Sequence, residues 1–80
     1  MKISNDSISP NTDTILRLPQ LMLRTGLSRS TIYSRISRGS KYFDASFPKP
    51  VRLGAGSSIG WLASEVNIWL ASRAQARVVA

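Results

Sequence analysis

A run of side chains near the middle of the chain carries groups that can bind phosphates and the edges of bases. It comprises Arg29, Ser30, Thr31, Tyr33, Ser34 and Arg38. An Arg fork can pair with O6 and N7 of guanine, and Thr offers a methyl group to a thymine or a hydroxyl to a phosphate. Tyr and a further Arg can bind phosphate oxygens, and small Ser side chains let a helix approach a groove closely. The run indicates contact with a polyanion; the alternative is a solvated helix face.

A second set of polar and basic side chains lies outside this run. It comprises Arg24, Lys49, Arg52 and Ser57. Arg24 falls near the end of a predicted first helix, and the other three fall in a predicted hairpin. Side chains at such positions bind backbone phosphates and orient a protein without reading sequence. For each of them, an exposed side chain that contacts no phosphate is an equally good interpretation.

The residue types that are missing exclude most catalytic chemistry. The sequence contains no Cys and no His, so thiolate and imidazole metal sites, Cys nucleophiles and His acid–base catalysis are absent. Asp6 and Asp13 fall in a polar N-terminal segment, while Asp44 and Glu65 have no partner base nearby. We therefore expect no enzymatic activity, no cofactor and no metal ion.

Length and charge define a small basic domain. The 80 residues include 11 Lys or Arg against 4 Asp or Glu, a net charge of +7, and this length suits one domain. Nine of the basic residues lie between Arg17 and Arg73. That balance favours DNA, RNA or an anionic surface as partner, although it also serves solubility. No apolar run approaches the length of a membrane span, and the N-terminus lacks a signal peptide's apolar region.

Capping residues and hydrophobic spacing predict the elements that hold these side chains. Pro19 and Gly26 suit the start and stop of a first helix over 18–26. Ser28 as N-cap and Gly39 as stop predict a second helix over 28–38, with Arg38 in its last turn. A glycine-rich turn within 49–61 predicts a β-hairpin. A third helix is predicted over 62–73. Flexible tails are predicted on either side of the whole domain, at 1–14 and 74–80.

The predicted core is small and aromatic. Ile32 and Ile36 share one stripe of the second helix, while Trp61 and Trp69 are expected to be buried. Arg35 lies about 80° from that stripe, so a phosphate contact and an ion pair both remain open for it. The aromatic residues of the loop after Gly39 are expected to pin that loop to the core. Tyr42 and Phe43 could instead form a surface for a partner.

Together these residues resemble the AlpA family of short prophage regulators, which belongs to the MerR-like winged-helix group beside small phage excisionases. The runs that carry the resemblance are Arg17-Leu18-Pro19, Arg24 to Tyr33, Phe47 to Gly54, Gly60-Trp61, Ser64-Glu65-Val66 and Trp69 to Arg73. The sequence departs from the family pattern at Ser34 and Arg35, in the longer loop 40–46, and at the hairpin tip, which lacks the usual Arg.

The resemblance implies a mainly α fold with a small β-hairpin, a winged helix-turn-helix over residues 15–73. It also implies sequence-specific binding of double-stranded DNA in a prophage or genomic island, as a transcriptional regulator, an excisionase or both. Helix 28–38 would enter the major groove, and the wing over 49–61 would lie on the backbone or in the minor groove.

The expected setting is the cytoplasm, with a dimer or cooperative assembly on DNA and a phage integrase as a further partner. The alternatives are an RNA-binding module and a basic adapter that binds a protein through Tyr42-Phe43.

Overall fold

Three helices and three short strands follow one another in the computed structural model, which describes residues 13–78. They are β1 (Ile15–Leu16), α1 (Leu18–Thr25), α2 (Arg29–Ile36), β2 (Val51–Arg52), β3 (Ile59–Leu62) and α3 (Ala63–Gln75). The predicted fold class, a mainly α winged helix-turn-helix with a small hairpin, is confirmed. Most of the predicted N-terminal tail, residues 1–12, lies outside the described residues, as do residues 79 and 80.

The helix-turn-helix forms where the capping residues predict it. Pro19 occupies the first turn of α1, and Gly26 ends that helix with φ 74° while its N–H donates to the Met22 carbonyl at 2.8 Å. Glycine reaches this left-handed conformation without the steric cost that a Cβ imposes. Ser28 then caps α2, since its hydroxyl accepts the Thr31 N–H at 3.2 Å. Three residues, 26–28, therefore connect the two helices.

The end of α2 differs from the prediction. The helix stops at Ile36, Ser37 is extended with φ −89° and ψ 117°, and Arg38 and Gly39 lie beyond the helix. The Arg35 carbonyl, which a continued helix would pair with the Gly39 N–H, instead accepts the Asp44 N–H at 2.9 Å. This hydrogen bond from the following loop takes the place of the next helical bond. The prediction of Gly39 as the stop and of Arg38 in the last turn was therefore wrong.

The sheet has one strand more than the predicted hairpin. Its order is β1-β3-β2 with antiparallel pairing throughout, and Leu16 lies opposite Trp61. The predicted hairpin is present, with Val51 opposite Gly60, and Gly56 in its turn has φ 89°. Strand β1 is not predictable from the sequence, because a strand of two residues has no period to detect. This strand places the start of α1 directly beside β3.

Aromatic side chains fill the centre of the core. The buried residues are Leu16, Leu21, Ile32, Phe47, Trp61, Val66 and Trp69. Phe47 meets Trp69 edge to face with ring centroids 4.9 Å apart, and the Trp61 indole donates to the Pro48 carbonyl at 3.2 Å. Each buried Trp removes about 150–250 Å² of surface from water, a large share of so small a core. The predicted burial of both tryptophans is confirmed.

The loop after α2 is only partly anchored as expected. Phe47 is buried and Phe43 is half-buried, but the Tyr42 side chain is 63% exposed. The expectation that the loop aromatics all pin it to the core therefore holds for Phe47 and was wrong for Tyr42. Ile36 and Leu27 are half-buried against the core. None of the helices among residues 13–78 is long and apolar enough to cross a bilayer.

Asp13 and Thr14 are bonded to the start of α3. The Asp13 carboxylate accepts the Ser64 hydroxyl at 2.6 Å and the Ser64 N–H at 3.1 Å, while the Thr14 carbonyl accepts the Ala63 N–H at 2.8 Å. These bonds satisfy N–H groups that the first turn of a helix leaves without a partner. The last two residues of the predicted N-terminal tail thus belong to the fold, and α3 runs on to Gln75.

Replacing Gly60 tests the close approach of β1 to β3. A Cβ at residue 60 would overlap the Ile15 side chain and lie 3.1 Å from the Leu16 carbonyl oxygen. We expect Gly60→Ala to lower the free energy of unfolding by about 1–3 kcal/mol, as overpacking does, in urea titrations followed by circular dichroism. Gly39→Ala is the matched control, because a Cβ there meets nothing within 4 Å. Equal stability of the two variants would contradict this account.

Acid titration tests the role of Asp13. The Ser64 hydroxyl lowers the pKa of the Asp13 carboxyl, and the backbone N–H groups of Thr14 and Ser64 lower it further. A lowered folded-state pKa stabilises the fold above about pH 4 and loses that effect as the pH falls through the folded-state pKa. Stability of wild type and Asp13→Ala, measured by thermal melting from pH 6 to pH 2, should therefore converge at the acid end. A constant gap would show that the carboxylate's charge is irrelevant.

Candidate nucleic-acid interface

The helix α2 divides into a buried stripe and a polar exposed face. Ile32 is fully buried, while Arg29, Ser30 and Tyr33 are exposed. Thr31 and Ser34 are half-buried at one side of that face. Five of the six residues in the predicted contact run therefore lie on the solvent-facing surface of one helix or at its margin. Arg38, the sixth, is exposed in the turn that follows the helix.

The first turn of α2 is tied together by hydroxyl groups. The Ser28 hydroxyl donates to the Thr31 hydroxyl at 2.9 Å, and the Ser28 and Ser30 hydroxyl oxygens are 3.3 Å apart. The cap thus engages the Thr31 N–H and the Thr31 hydroxyl oxygen as an acceptor, while the Thr31 methyl group stays available for other contacts. Helical geometry gives the N–H groups of Arg29 and Ser30 no acceptor within the helix. These N–H groups and the helix dipole favour an anion at this end.

Arg35 joins α2 to the loop that follows it. Its guanidinium lies 3.7 Å from the Asp44 carboxylate, so the ion pair, one of its two predicted roles, is present. The pKa of Asp44 is lowered mainly by the Ser46 hydroxyl, and the charge of Arg35 lowers it further. Pairs this accessible to water contribute about 0–1 kcal/mol. The backbone bond from the Asp44 N–H to the Arg35 carbonyl fixes the same junction.

Two of the predicted basic residues lie against α3. The Arg24 guanidinium donates to the side-chain oxygen of Asn67 and so connects α1 to α3. Lys49, which precedes β2, lies beside a groove formed with Glu65, Ile68 and Trp69. Both side chains are exposed. A structural contact of Arg24 with Asn67 was not anticipated, because the spacing of two residues in different helices carries no such signal.

The hairpin holds the remaining predicted residues. Arg52 is exposed on the edge strand β2, and Ser57 is exposed in the turn. Arg17 joins this region, because its Nε donates to the Ile59 carbonyl at 3.0 Å while the residue as a whole stays exposed. This role of Arg17 was not predicted. Its basic character was the only available signal, since its partner is a backbone carbonyl 42 residues away.

Most of the positive charge of the domain is uncompensated. Residues 13–78 contain ten Lys or Arg and three Asp or Glu. Two of the three carboxylates, Asp13 and Asp44, already accept hydrogen bonds within the fold. Within this part of the chain no three His, Cys, Asp or Glu side chains group together as metal ligands would. The excess of positive charge therefore attracts anions to the domain.

The fold and this surface together define a small basic winged helix-turn-helix protein. Residues 14–74 match the family model described as "Prophage CP4-57 regulatory protein (AlpA)". The chain belongs to this AlpA family, as the resemblance in its sequence implied.

Two relatives illustrate the match. The "DNA-binding transcriptional activator AlpA" of Escherichia coli (strain K12) is 44% identical over 59 residues, covering 74% of this chain and 83% of that protein. The "Uncharacterized protein ORF88" of Enterobacteria phage P4 is 45% identical over 65 residues, covering 81% of this chain and 66% of that protein. No solved structure matches the chain.

Substitution of Ser28 tests the cap that fixes the start of α2. We expect Ser28→Ala to lower the free energy of unfolding by about 1 kcal/mol, because the Thr31 N–H loses its acceptor. Ser28→Asp should restore most of that stability, since a carboxylate is an equally good cap. Urea denaturation measures both. An Asp variant as unstable as the Ala variant would show that the hydroxyl does not act as a cap.

Proposed function

We propose that this chain is a sequence-specific double-stranded DNA-binding regulator of a prophage or genomic island. The exposed face of α2 carries the proposal, because it presents Arg29, Ser30 and Tyr33 to solvent on a domain with excess positive charge. In this role α2 and the turn after it enter the major groove. The hairpin over 49–61 lies along the backbone or in the minor groove.

The proposed contacts divide into those that read bases and those that hold phosphates. Arg29 pairs with a guanine, and Ser30 and Ser34 face base edges at close range. Tyr33 and Arg38 donate to phosphates at the two sides of the groove. On the hairpin, Arg52 and Ser57 bind the backbone, as Lys49 does beside it, and Arg24 can reach a phosphate from α1. Thr31 supplies its methyl group, because its hydroxyl is engaged by Ser28.

The relatives support this role and its biological setting. The printed name of the Escherichia coli relative describes a DNA-binding transcriptional activator, and the family description is that of a prophage regulatory protein. We therefore place this chain in the cytoplasm, acting without catalysis at a promoter, beside an attachment site, or at both. At an attachment site it would serve as an excisionase, with a phage integrase as protein partner.

The size of the surface limits the affinity of a single copy. About 4–6 phosphate contacts predict a slope of about −4 to −5 for the logarithm of the association constant against that of salt concentration. Three or four base contacts at about 1–3 kcal/mol each give modest specificity. We therefore propose that the protein occupies DNA as a dimer or cooperatively at adjacent sites. Nanomolar binding of a monomer to one isolated site at physiological salt would contradict this.

Fluorescence anisotropy across a salt series tests the proposed function. The duplexes are the region upstream of the protein's own gene, the flanking attachment region, and a scrambled sequence. We expect a preference of at least about 100-fold for one native duplex, within the usual range for specific over non-specific binding. Preference for the first duplex indicates promoter control, and preference for the second indicates excision. Equal binding to all three that vanishes with salt would overturn the proposal, as would tighter binding to RNA.

Substitution of Arg29 tests the assignment of α2 as the reading helix. Arg29→Ala should weaken binding to the preferred duplex roughly ten- to hundredfold while changing binding to the scrambled duplex little. Arg29→Lys keeps the charge but loses the bidentate fork, so it should relax preference at one base pair. The matched control is Arg77→Ala, an exposed arginine beyond α3. Equal losses in the Arg29 and Arg77 variants would mean that only net charge matters.

A further inference from the structure

A groove beside the exposed face of α2 is formed by the loop that follows the helix. Its volume is about 350 Å³, and it is lined by Ser30, Thr31, Ser34 and Arg35 of the helix and by Tyr42 of the loop. The proposed function accounts for the helix side of this groove. Tyr42, which supplies the other wall, has no role in the fold that explains its position.

The loop holds Tyr42 in place through its backbone. The Tyr42 N–H donates to the Ser40 hydroxyl at 3.0 Å, and the next N–H, that of Phe43, donates to the Ser40 carbonyl at 3.1 Å. Two residues further on, Asp44 is bonded to Arg35 through both its backbone and its carboxylate. These bonds fix the loop backbone on either side of Tyr42, whose ring lines the groove while 63% of the residue remains exposed. Such preorganisation reduces the entropy that a contact costs.

The two walls of the groove differ in chemistry. The Tyr42 ring supplies an apolar surface, and Ser30, Thr31 and Ser34 supply hydroxyl groups to the helix side of the groove. Arg35 adds a guanidinium to the same wall, with 32% of its side chain exposed. In the major groove a thymine presents an apolar C5-methyl group next to O4, an acceptor. An aromatic ring opposite hydrogen-bond donors matches that pair of groups.

We infer that the groove between α2 and Tyr42 receives the major-groove edge of a thymine, which makes Tyr42 a specificity-determining residue. The methyl group packs on the Tyr42 ring, and O4 accepts from a hydroxyl or from Arg35. Lys41, whose Nζ lies 5.2 Å from the centre of the ring, adds a positive charge beside it that can attract a phosphate. This inference rests on the proposed function, since it needs α2 in the major groove.

The geometry favours DNA over a protein partner at this loop. Only Tyr42 is prominent there, because Phe43 is half-buried and Phe47 is fully inside the core. A single exposed ring beside hydroxyls and arginines does not form the contiguous apolar patch that protein interfaces have at their centre. A separate adapter surface made of Tyr42-Phe43 therefore has little area to offer.

The experiment replaces each thymine in turn with uracil, which lacks only the methyl group. The preferred duplex is first selected from a randomised library with the wild-type protein. Binding of every uracil-substituted duplex is then measured for the wild type, Tyr42→Phe and Tyr42→Ala. The control variant Ile68→Ala changes a side chain that is 70% exposed on α3, and circular dichroism confirms that all variants fold.

At one thymine of the selected duplex, binding should depend both on the methyl group of the base and on the Tyr42 side chain. There, uracil should weaken wild-type binding about fourfold, as expected for one methyl group removed from an apolar contact. Tyr42→Phe and Ile68→Ala should keep this sensitivity, because neither changes the ring face. Tyr42→Ala should lose it and bind the thymine and uracil duplexes equally.

The contrary outcomes separate the inference from the proposed function. If uracil has the same effect on wild type and Tyr42→Ala at every thymine, or if the selected duplex holds no sensitive thymine, the inference is overturned. In that case Arg29→Ala still weakens binding if the proposed function is correct. If the library yields no preferred sequence and Arg29→Ala binds like wild type, both fail together.

Discussion

The close approach of β1 to β3 at Gly60 determines how the rest of the molecule is oriented. Only Arg17 separates β1 from α1, and no residue separates β3 from α3. Pairing Leu16 with Trp61 therefore fixes the direction of two helices at once. A side chain at residue 60 would meet Ile15 and push the strands apart. The hairpin extends from the other edge of β3, so the helix-turn-helix and the wing take their relative positions from this one contact.

Two carboxylates of the domain make bonds that stabilise the fold, while most of the arginines are exposed. Asp13 closes the start of α3, and Asp44 fastens the loop to the end of α2. Only Glu65 is left among the acidic residues from 13 to 78. A small core of this kind has little stability to spare. Using the few acids as a cap and a clamp adds stability, while ten basic residues against three acidic ones keep the positive charge that a DNA-binding surface requires.

Local signals made much of this architecture predictable, and long-range bonds account for what was missed. Helix boundaries were predictable from Pro19, Gly26 and Ser28, because capping depends on neighbours in sequence. The third strand and the early end of α2 depend on partners far along the chain, such as Asp44 for the Arg35 carbonyl. For the same reason, the contact of Arg24 with Asn67 and the position of Tyr42 were not predictable from the sequence. For the candidate site, the sequence supplied the side chains of α2, and only the structure showed the groove beside them.

The division of α2 into one fully buried residue and a polar outer face has an evolutionary consequence. Because Ile32 alone in this helix is completely enclosed, substitutions at Ser30 or Ser34 change the outer face without disturbing the interior. Serine is small, so almost any replacement adds new groups and removes few. Under the proposed function, a lineage carrying this scaffold can therefore change its DNA sequence preference by single codon changes while its fold stays intact. Recognition in such a protein is free to diverge faster than architecture.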